Sequence, residues 1–361
     1  MMHLYVVIPC YNCEKYLSSA VQSVIEQSSD RLGITAVLVD DGSSDGTPQL
    51  CDRFAERYPG QVCVLHKKNG GVSAARNAGI EYVLDHFPES LPQSYFAFMD
   101  ADDAWVGDFW DGDCLALLQR GYDLIGFQSC NCDSNLEKRA EIVSMQEGVF
   151  SGGEASLWLH SDQQFCSMLY SCRLIERHHI RFNTKITYSE DKIFRMICLF
   201  YADQLALKNR LLYCYRLNID SLVHRRPYGT AYYLPIIEAY LSMEKELNAS
   251  AAEKGGARIG TVLAWHYLMK MVDEHFQCFR PKKQIDAVFD SHPDYVELLE
   301  GKNERHPQPN PVYLYMREKP LRYRLKNYRK GLGMLGKRIL RRIPAFWRIA
   351  EKRRFRFDIR Q

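Results

Sequence analysis

Short apolar runs alternate with amphipathic segments along the first hundred residues of the chain. The runs at 4–8, 35–39, 61–66 and 95–99 are rich in β-branched, aromatic and other apolar residues, a pattern typical of buried strands. The segments between them repeat apolar residues at helical spacing, and the first places Leu17, Val21, Val24 and Ile25 on one face. Because strands and helices alternate with short links, the sequence predicts a mostly parallel central sheet with helices on both faces.

Several element boundaries can be predicted from single residues. We expect Pro9 to stop the first strand, and Thr47 to cap the second helix with Pro48 in its first position. A third helix is expected over 72–84. Further along, the pattern favours a helix at 151–160, a strand at 164–170 and a helix that begins after Ser189, which is a good N-cap residue.

The alternation ends near residue 226, and the composition changes again after a proline-rich segment at 306–311. Between these points, segments 228–248 and 259–279 show helical patterns. We therefore predict an α/β domain at 1–225, a helical extension at 226–311 and a tail at 312–361. Hydrophobic residues make up 46% of the 361 residues, which is enough for a sizeable core.

Polar residues follow each of the first four predicted strands. These positions are Pro9-Cys10-Tyr11-Asn12, Asp40-Asp41, Asn69-Gly70 and Asp100–Asp103. In sheets of this kind, ligands bind outside the carboxyl ends of the strands. The agreement of four separate segments predicts a binding site at that edge, although each segment alone would also make a good turn.

Asp100, Asp102 and Asp103 place three carboxylates within four positions directly after a buried strand. Unpaired ions are costly to bury, so we expect these side chains to face water or a cation. Mg²⁺ or Mn²⁺ takes one or two carboxylates together with waters and phosphate oxygens, which suits this spacing. The alternative is a solvated acidic turn.

Other site classes find little support in the sequence. The first predicted strand is not followed by the G-x-G-x-x-G of a dinucleotide fold, and no Walker-type loop is present. Most of the 12 Cys lie in apolar runs, as buried reduced thiols do, and Cys10-x-x-Cys13 has no second pair at zinc spacing. We expect neither a secretory signal nor a membrane span.

Four motifs together resemble the family 2 glycosyltransferases of the GT-A fold, in order and spacing as well as in wording, over roughly residues 3–225. The motifs are Val7-Ile8-Pro9-Cys10-Tyr11-Asn12, Val39-Asp40-Asp41-Gly42-Ser43-Ser44-Asp45-Gly46-Thr47, Asn69-Gly70-Gly71-Val72-Ser73-Ala74-Ala75-Arg76-Asn77-Ala78-Gly79 and Met99-Asp100-Ala101-Asp102-Asp103.

The resemblance implies a nucleotide-sugar donor, usually a UDP-sugar, and inversion at the anomeric carbon. It implies that Asp41 binds the uracil edge and that Asp102, with Asp100, binds a Mn²⁺ or Mg²⁺ ion on the diphosphate. The other donor-binding residues that it implies are Pro9, Tyr11, Asn12, Asn69, Gly70 and Arg76.

The resemblance also assigns roles in the second half of the domain. Asp191 corresponds to the general base that deprotonates the acceptor hydroxyl, with Glu190 as the second candidate. Arg216 would meet the diphosphate, and His224 would supply an imidazole ligand to the metal, although a surface histidine is an equal alternative. Acids in the first turn after Ser189 would also favour a helix start by themselves.

Charge is distributed unevenly along the chain. Residues 317–361 contain 17 Lys and Arg against 3 Asp and Glu, a net charge of +14, whereas the rest of the chain has a net charge of −11. Apolar residues recur at steps of three and four between Leu321 and Ile343. This basic amphipathic pattern predicts attachment to an anionic membrane surface, and the alternative is docking on the acidic body or on a second subunit.

These observations favour an inverting glycosyltransferase on the inner face of the cytoplasmic membrane, with a glycan acceptor on a lipid carrier. A nucleotidyltransferase with the same acidic metal site is the first alternative. A nucleic-acid-binding protein that acts through its basic tail is the second, although the acidic body argues against nucleic acid as a partner. The sequence leaves the donor sugar, the linkage and the oligomeric state open.

Overall fold

The structure, a computed structural model, describes residues 2–107, 109–136, 147–151, 165–217, 230–250 and 282–300, together with 264, 267, 268 and 302. The chain divides into two compact units, the second of which begins at residue 219. The predicted domain boundaries after 225 and 311 lie outside the described residues, and so does the predicted tail.

One sheet contains every described strand of the first unit. In chain order the strands are β1 Met2–Cys10, β2 Leu32–Asp40, β3 Val62–His66, β4 Ser94–Phe98, β5 Ala104–Trp105, β6 Leu124–Cys132, β7 Gly148–Ser151, β8 Met168–Ser171 and β9 Gln204–Arg216. The helices are α1 Glu14–Ile25, α2 Thr47–Arg57, α3 Val72–His86, α4 Gly112–Gln119, α5 Cys172–Arg177 and α6 Glu190–Tyr201.

The strand order is β3-β2-β1-β4-β8-β6-β9-β5, with β7 also paired to β9. Strands β3, β2, β1 and β4 are parallel, as the alternating pattern predicts. Beyond β4 the sheet is mixed, because β8 is antiparallel to both β4 and β6, whereas β6 and β9 are parallel. The chain moves in one direction through β1, β2 and β3 and then returns to β4, so right-handed crossovers place α3 on the face opposite α1 and α2.

The structure corrects two predicted boundaries. Strand β1 continues through Pro9, which lies opposite Val39 of β2. Its missing N–H is tolerated because β4 ends at Phe98, so only β2 flanks the chain at this point. Residue Thr47 does not cap α2: the N-cap is Gly46, and the Thr47 hydroxyl instead accepts a hydrogen bond from the Cys13 N–H at 2.9 Å.

The predicted strand at 164–170 is only partly correct, since its first half is a short 3-10 helix, Phe165–Ser167, and β8 begins at Met168. The helix predicted at 151–160 lies outside the described residues except for Ser151, which ends β7. The other helices of the first half are present, with the predicted face of α1 buried.

An aromatic cluster forms the core beneath the carboxyl edge of β4. The Phe98 ring lies 5.1–5.4 Å from those of Phe165, Phe182 and Phe194. On this same side of the fold, α3 packs very close to β1: a Cβ at Gly79 would lie 2.4 Å from Val7. These contacts fix the position of α3, whose first turns lead into the candidate site.

The second unit is helical over its described residues. Its helices are α7 Thr230–Ser250, α8 Lys282–Ser291 and α9 Pro293–Glu300. The rings of Tyr240 and Tyr267 stack at 5.4 Å in its interior. Most of the helix predicted at 259–279 lies outside the described residues. Among the helices that the structure describes, none has the length and apolarity needed to cross a membrane.

Candidate functional site

The loops that follow β1 and β2 interlock at the carboxyl edge of the sheet. Asn12 adopts the left-handed conformation, with φ of 49°, and its side-chain oxygen accepts the Ser44 N–H at 2.8 Å. Its own N–H donates to the Ser43 hydroxyl at 3.0 Å. The neighbouring Tyr11 ring is 55% exposed at this edge. The loop that contains the predicted donor-binding residues Tyr11 and Asn12 is therefore hydrogen-bonded to the loop after β2 and presents one exposed aromatic residue.

Asp41 organises the loop after β3. Its carboxylate accepts the N–H groups of Gly70 and Gly71 at 2.9 and 2.7 Å and the Lys67 ammonium at 2.5 Å. The Asp41 residue is only 3% exposed, whereas Asn69 is open to solvent. The structure thus brings together the predicted residues of three loops. It adds Lys67, a cation that sequence reasoning missed although it lies two positions before Asn69.

The three carboxylates after β4 have different environments. Asp100 and Asp102 are partly exposed, whereas Asp103 is 1% exposed. The Asp103 carboxylate accepts the Tyr213 hydroxyl at 2.5 Å and the Arg216 N–H at 2.7 Å. Burial, with repulsion from Asp102 and Asp100, raises the pKa of Asp103 well above its usual range. Asp103 therefore does not face water as the sequence predicts, but anchors residues 100–103, here called the acidic loop, to β9.

Arg76 lies between the acidic loop and the start of α6. Its guanidinium donates to Asp100 at 2.8 Å and to Glu190 at 3.0 Å. The side chain is 4% exposed and lies over the rings of Phe165 and Phe182, at 5.1 and 5.2 Å from their centroids. A planar guanidinium can hold two carboxylates at once, which a lysine cannot do in the same way. Arg76 thus fixes Asp100 relative to Glu190.

The next residue on α3 makes a second link to the same region. The Asn77 amide donates to the Phe182 carbonyl at 2.9 Å, and its oxygen accepts the Phe182 N–H at 2.8 Å. The contact of Arg76 with Glu190 and that of Asn77 with Phe182 each join residues more than a hundred positions apart. The Arg76-Asn77 pair, whose Arg76 the family resemblance assigns to the donor site, therefore connects α3 to the segment that carries Glu190 and Asp191.

Helix α6 begins at Glu190, after Ser189 in a left-handed N-cap conformation with φ of 64°. The Glu190 side chain is largely buried, and its burial together with repulsion from Asp191 outweighs Arg76 and raises the pKa of Glu190 to about 7. Asp191 is more open to solvent and accepts the Lys192 N–H at 2.7 Å. The two carboxylates of the pair thus differ: one is tied to Arg76, and the other lies nearer to water.

Arg216 ends β9 in a buried position. Its Nε donates to the Asp102 carbonyl at 2.5 Å, and its two terminal nitrogens donate to the Ser134 carbonyl and the Ser19 hydroxyl at 2.5 and 3.0 Å. These bonds hold the backbone of the acidic loop. The predicted contact with a diphosphate stays a prediction, and His224, the predicted imidazole ligand, lies outside the described residues.

The residues at this edge fit the divalent cation that the sequence predicts. Asp100 and Asp102 offer partly exposed carboxylate oxygens, which are the ligands that Mg²⁺ and Mn²⁺ prefer. A Mg²⁺ ion characteristically uses one or two carboxylates and completes its shell with waters and phosphate oxygens. The acidic loop therefore has the chemistry of a shared metal–diphosphate site.

The fold and this acidic edge define the GT-A class of glycosyltransferase domains. Residues 5–178 match the glycosyl transferase family 2, and this part of the chain is a domain of that family. The fold is similar to that of S. aureus TarS 1–349 in complex with UDP-GlcNAc, with a TM-score of 0.64 at 18% identity over 91% of this chain and 92% of that one. The TarS structure in complex with UDP gives a TM-score of 0.63 at 17% identity, with the same coverage of both chains.

Two sequence relatives are bacterial proteins that share part of this chain. The minor teichoic acid biosynthesis protein GgaA of Bacillus subtilis is 33% identical over 41% of this chain and 29% of its own length. The glycosyltransferase GlyG of Streptococcus pneumoniae is 24% identical over 78% of this chain and 96% of its own. The chain spans less than two thirds of the length of several curated relatives that it matches, GgaA and GgaB among them.

Proposed function

We propose that this protein is an inverting glycosyltransferase that moves a sugar from a UDP-sugar to a hydroxyl group of a glycan acceptor. The observation that carries the proposal is the Arg76 bridge, which links Asp100 of the acidic loop to the Glu190-Asp191 pair. A donor diphosphate at Asp100 and an acceptor hydroxyl at Asp191 would then lie on the two sides of one rigid connection. The UDP and UDP-GlcNAc complexes of TarS support this choice of donor.

The donor would occupy the edge formed by the first three loops. The exposed Tyr11 ring offers a face for base stacking. Asp41, held by Lys67 and the two glycine N–H groups, offers acceptor oxygens to the uracil edge. We assign Pro9, Asn12, Asn69 and Gly70 to the same nucleoside cradle, because the Asn12 and Asp41 hydrogen bonds hold these loops together.

Asp100 and Asp102 would hold a Mn²⁺ or Mg²⁺ ion against the diphosphate. The ion would neutralise the charge that develops on the departing nucleoside diphosphate. Tyr213 and Arg216 keep the loop in place, since they bind the Asp103 carboxylate and the Asp102 carbonyl. These contacts from β9 thereby set the positions of the two proposed metal ligands, Asp100 and Asp102.

Asp191 is our choice for the general base. Glu190 is largely buried and bonded to Arg76, whereas Asp191 lies nearer to solvent, where an acceptor could approach. Asp191 would take the proton of the acceptor hydroxyl while the hydroxyl oxygen forms a bond to the anomeric carbon. The bond from that carbon to UDP would break on the opposite face, which inverts the configuration. In this arrangement Glu190 acts through Arg76 as a positioning residue.

We further propose that the acceptor is carried on a lipid and that the basic tail holds the enzyme to the inner face of the cytoplasmic membrane. The net charge of +14 over residues 317–361 supports the membrane surface. The naming of GgaA for teichoic acid biosynthesis supports a cell-surface polymer as the acceptor class.

The products of turnover distinguish this function from its alternative. We expect the protein to bind at least one member of a UDP-sugar panel in the presence of Mn²⁺ and to release UDP when a glycan acceptor is added. A nucleotidyltransferase would instead consume a nucleoside triphosphate and release pyrophosphate. The absence of binding across the panel, or the release of pyrophosphate, would overturn the proposal.

A further inference from the structure

Three cysteine thiols converge behind the acidic loop. Cys130 and Cys132 are two positions apart on β6 and therefore lie on one face of the strand, and Cys214 of β9 is the register partner of Cys130. The Cys130 sulfur lies 3.6 Å from that of Cys132 and 3.7 Å from that of Cys214. All three sulfurs lie within 4.8 Å of one another.

The surroundings of these thiols are apolar. The three cysteines are 5%, 0% and 2% exposed, and Val106, Leu136 and Leu211 pack against them. Among the described residues, no fourth His, Cys, Asp or Glu side chain has a ligand atom within 4.8 Å of all three sulfurs. Solvent competes little for a cation in such a place, and thiolates prefer soft cations to Mg²⁺ or Ca²⁺.

The spacing of the sulfurs suits ligation of one ion. Zinc binds thiolates at about 2.3 Å with tetrahedral angles, so neighbouring sulfurs of a zinc site lie about 3.8 Å apart. Two of the three separations, 3.6 and 3.7 Å, are close to this value, whereas a disulfide requires about 2.0 Å between its sulfurs. We propose that Cys130, Cys132 and Cys214 supply three thiolate ligands to one zinc ion, with a water molecule in the fourth position.

Zinc also suits the charge of the cluster. Three thiolates with Zn²⁺ leave a net charge of −1, whereas three thiolates with Cu⁺ leave −2, and the smaller charge costs less to bury. Binding exchanges the thiol protons for the ion, with three protons released to water and no change in oxidation state. No oxidant or reductant is needed.

The position of the cluster indicates what the ion would do. The pairing of β6 and β9 is irregular at two places between Gly126 and Ser129, immediately before Cys130. After these irregularities, β9 carries Tyr213 and Arg216, which hold the acidic loop through Asp103. An ion shared by the two strands fixes their register at this point and so steadies the base of the loop.

Cobalt substitution tests the site on the full-length protein. Thiolate ligation of Co²⁺ produces a sulfur-to-metal charge-transfer band in the near ultraviolet, which carboxylate ligation at the acidic loop does not produce. We expect one equivalent of Co²⁺ to give this band under reducing conditions, and one equivalent of Zn²⁺ to abolish it. The zinc-loaded protein should melt at a higher temperature than the chelator-treated protein.

Variants assign the band to these thiols. Cys132→Ala and Cys214→Ala should lose it. Cys13→Ala, which changes a buried thiol beside another buried cysteine, Cys10, should keep it, as should Asp102→Ala. Retention of the band in Asp102→Ala separates this site from the proposed donor site, so either proposal can fail alone.

The wild-type protein decides the outcome even where a variant does not fold. Absence of the charge-transfer band in the reduced wild-type protein would overturn the site. So would its persistence in Cys132→Ala and Cys214→Ala, or its loss in Cys13→Ala alone. Detection of a Cys130–Cys214 disulfide in protein purified without reductant, with no bound zinc, would assign the cluster to redox chemistry instead.

Discussion

Asp100 and Asp102 carry the metal proposal at the scale of single residues. Both are partly exposed, whereas their neighbour Asp103 is buried against Tyr213 and Arg216. One acidic run thus divides into two residues that can meet a cation and one that anchors the loop. Burial decides the division, because a carboxyl group away from water is stable only with hydrogen-bond partners.

We predict that Asp102→Ala abolishes the Mn²⁺-dependent part of UDP binding without unfolding the protein. The substitution removes a ligand oxygen that is partly exposed and makes no large cavity. Isothermal titration of UDP with and without Mn²⁺ measures the effect, and Asp52→Ala, which removes an exposed carboxylate that bonds His66 instead, is the matched control. Unchanged Mn²⁺-dependent affinity in Asp102→Ala would contradict the metal assignment.

We predict that Asp191→Asn removes transfer but keeps UDP-sugar affinity. The amide has nearly the same shape as the carboxylate and cannot take up the proton of the acceptor, a loss that typically costs about 10² to 10⁴-fold in rate. Single-turnover rates at saturating donor measure it. A variant that keeps more than roughly a tenth of the rate would move the base elsewhere, with Glu190 as the next candidate.

At the scale of elements, α3 joins the two halves of the first unit. Gly79 allows its close approach to β1, and Arg76 and Asn77 then contact the segment that leads to α6. The helix therefore fixes the position of Glu190 and Asp191 relative to the parallel half of the sheet. This is a structural role for residues that otherwise look like part of a donor-binding motif.

We predict that Arg76→Lys lowers the transfer rate at saturating donor by about 10- to 100-fold, with a smaller change in donor affinity. A lysine keeps the charge but lacks the planar fork that holds Asp100 and Glu190 together. Separate measurements of rate and donor affinity distinguish this role from direct donor contact, which would act mainly on affinity. Arg181→Lys, which alters the ion pair between Arg181 and Glu81 of the same helix α3, should leave both quantities near wild type.

We predict a pH-dependent effect of Glu190→Gln on stability. In the folded protein the pKa of Glu190 is raised to about 7 from its usual value of 4.5. The protonated form is therefore favoured by folding, and its contribution is complete below pH 4.5 and is lost as pH rises through 7. The free energy of unfolding of the wild type should fall across this window relative to Glu190→Gln. Denaturant titrations at pH 5 and pH 8 check the sign, and parallel pH profiles for the two proteins would contradict it.

At the scale of the whole molecule, charge is separated along the chain. The body has a net charge of −11 and the last 45 residues have +14. An anionic bilayer attracts each basic residue near its surface by roughly 1 kcal/mol. The apolar positions between Leu321 and Ile343, followed by Phe346 and Trp347, suit the interfacial depth of such a membrane.

We predict that the full-length protein binds anionic vesicles and that high salt releases it. A protein that ends at Pro311 should stay folded, remain active on a water-soluble acceptor and lose vesicle binding. Neutral vesicles serve as the control surface. Equal binding to neutral and anionic vesicles would contradict electrostatic attachment. Unfolding on truncation would favour a tail that docks on the body or on a second subunit, and retention on oligonucleotides would favour nucleic acid.

The sequence by itself determined the parallel half of the sheet and the edge where the site lies. Both depend on local patterns: strands with apolar runs, helices with a period of 3.6, and polar residues at the strand ends. These patterns predicted β1 to β4, α1 to α3 and the loops that contain Asn12, Asp41 and Asp102. The resemblance of the motifs then gave the family, which the comparison of residues 5–178 confirms.

Only the tertiary structure decided which of these residues meet. Arg76 bonds Glu190 across 114 positions of sequence, and Asp103 is buried because Tyr213 of β9 reaches it. Cys214 of β9 lies beside Cys130 because β6 and β9 are neighbours in the sheet. Each contact depends on the strand order β4-β8-β6-β9, in which β8 inserts between strands that precede it in the chain. A local period specifies which face of a strand is buried but not which strand lies beside it, so these partners follow from the packing of the whole sheet.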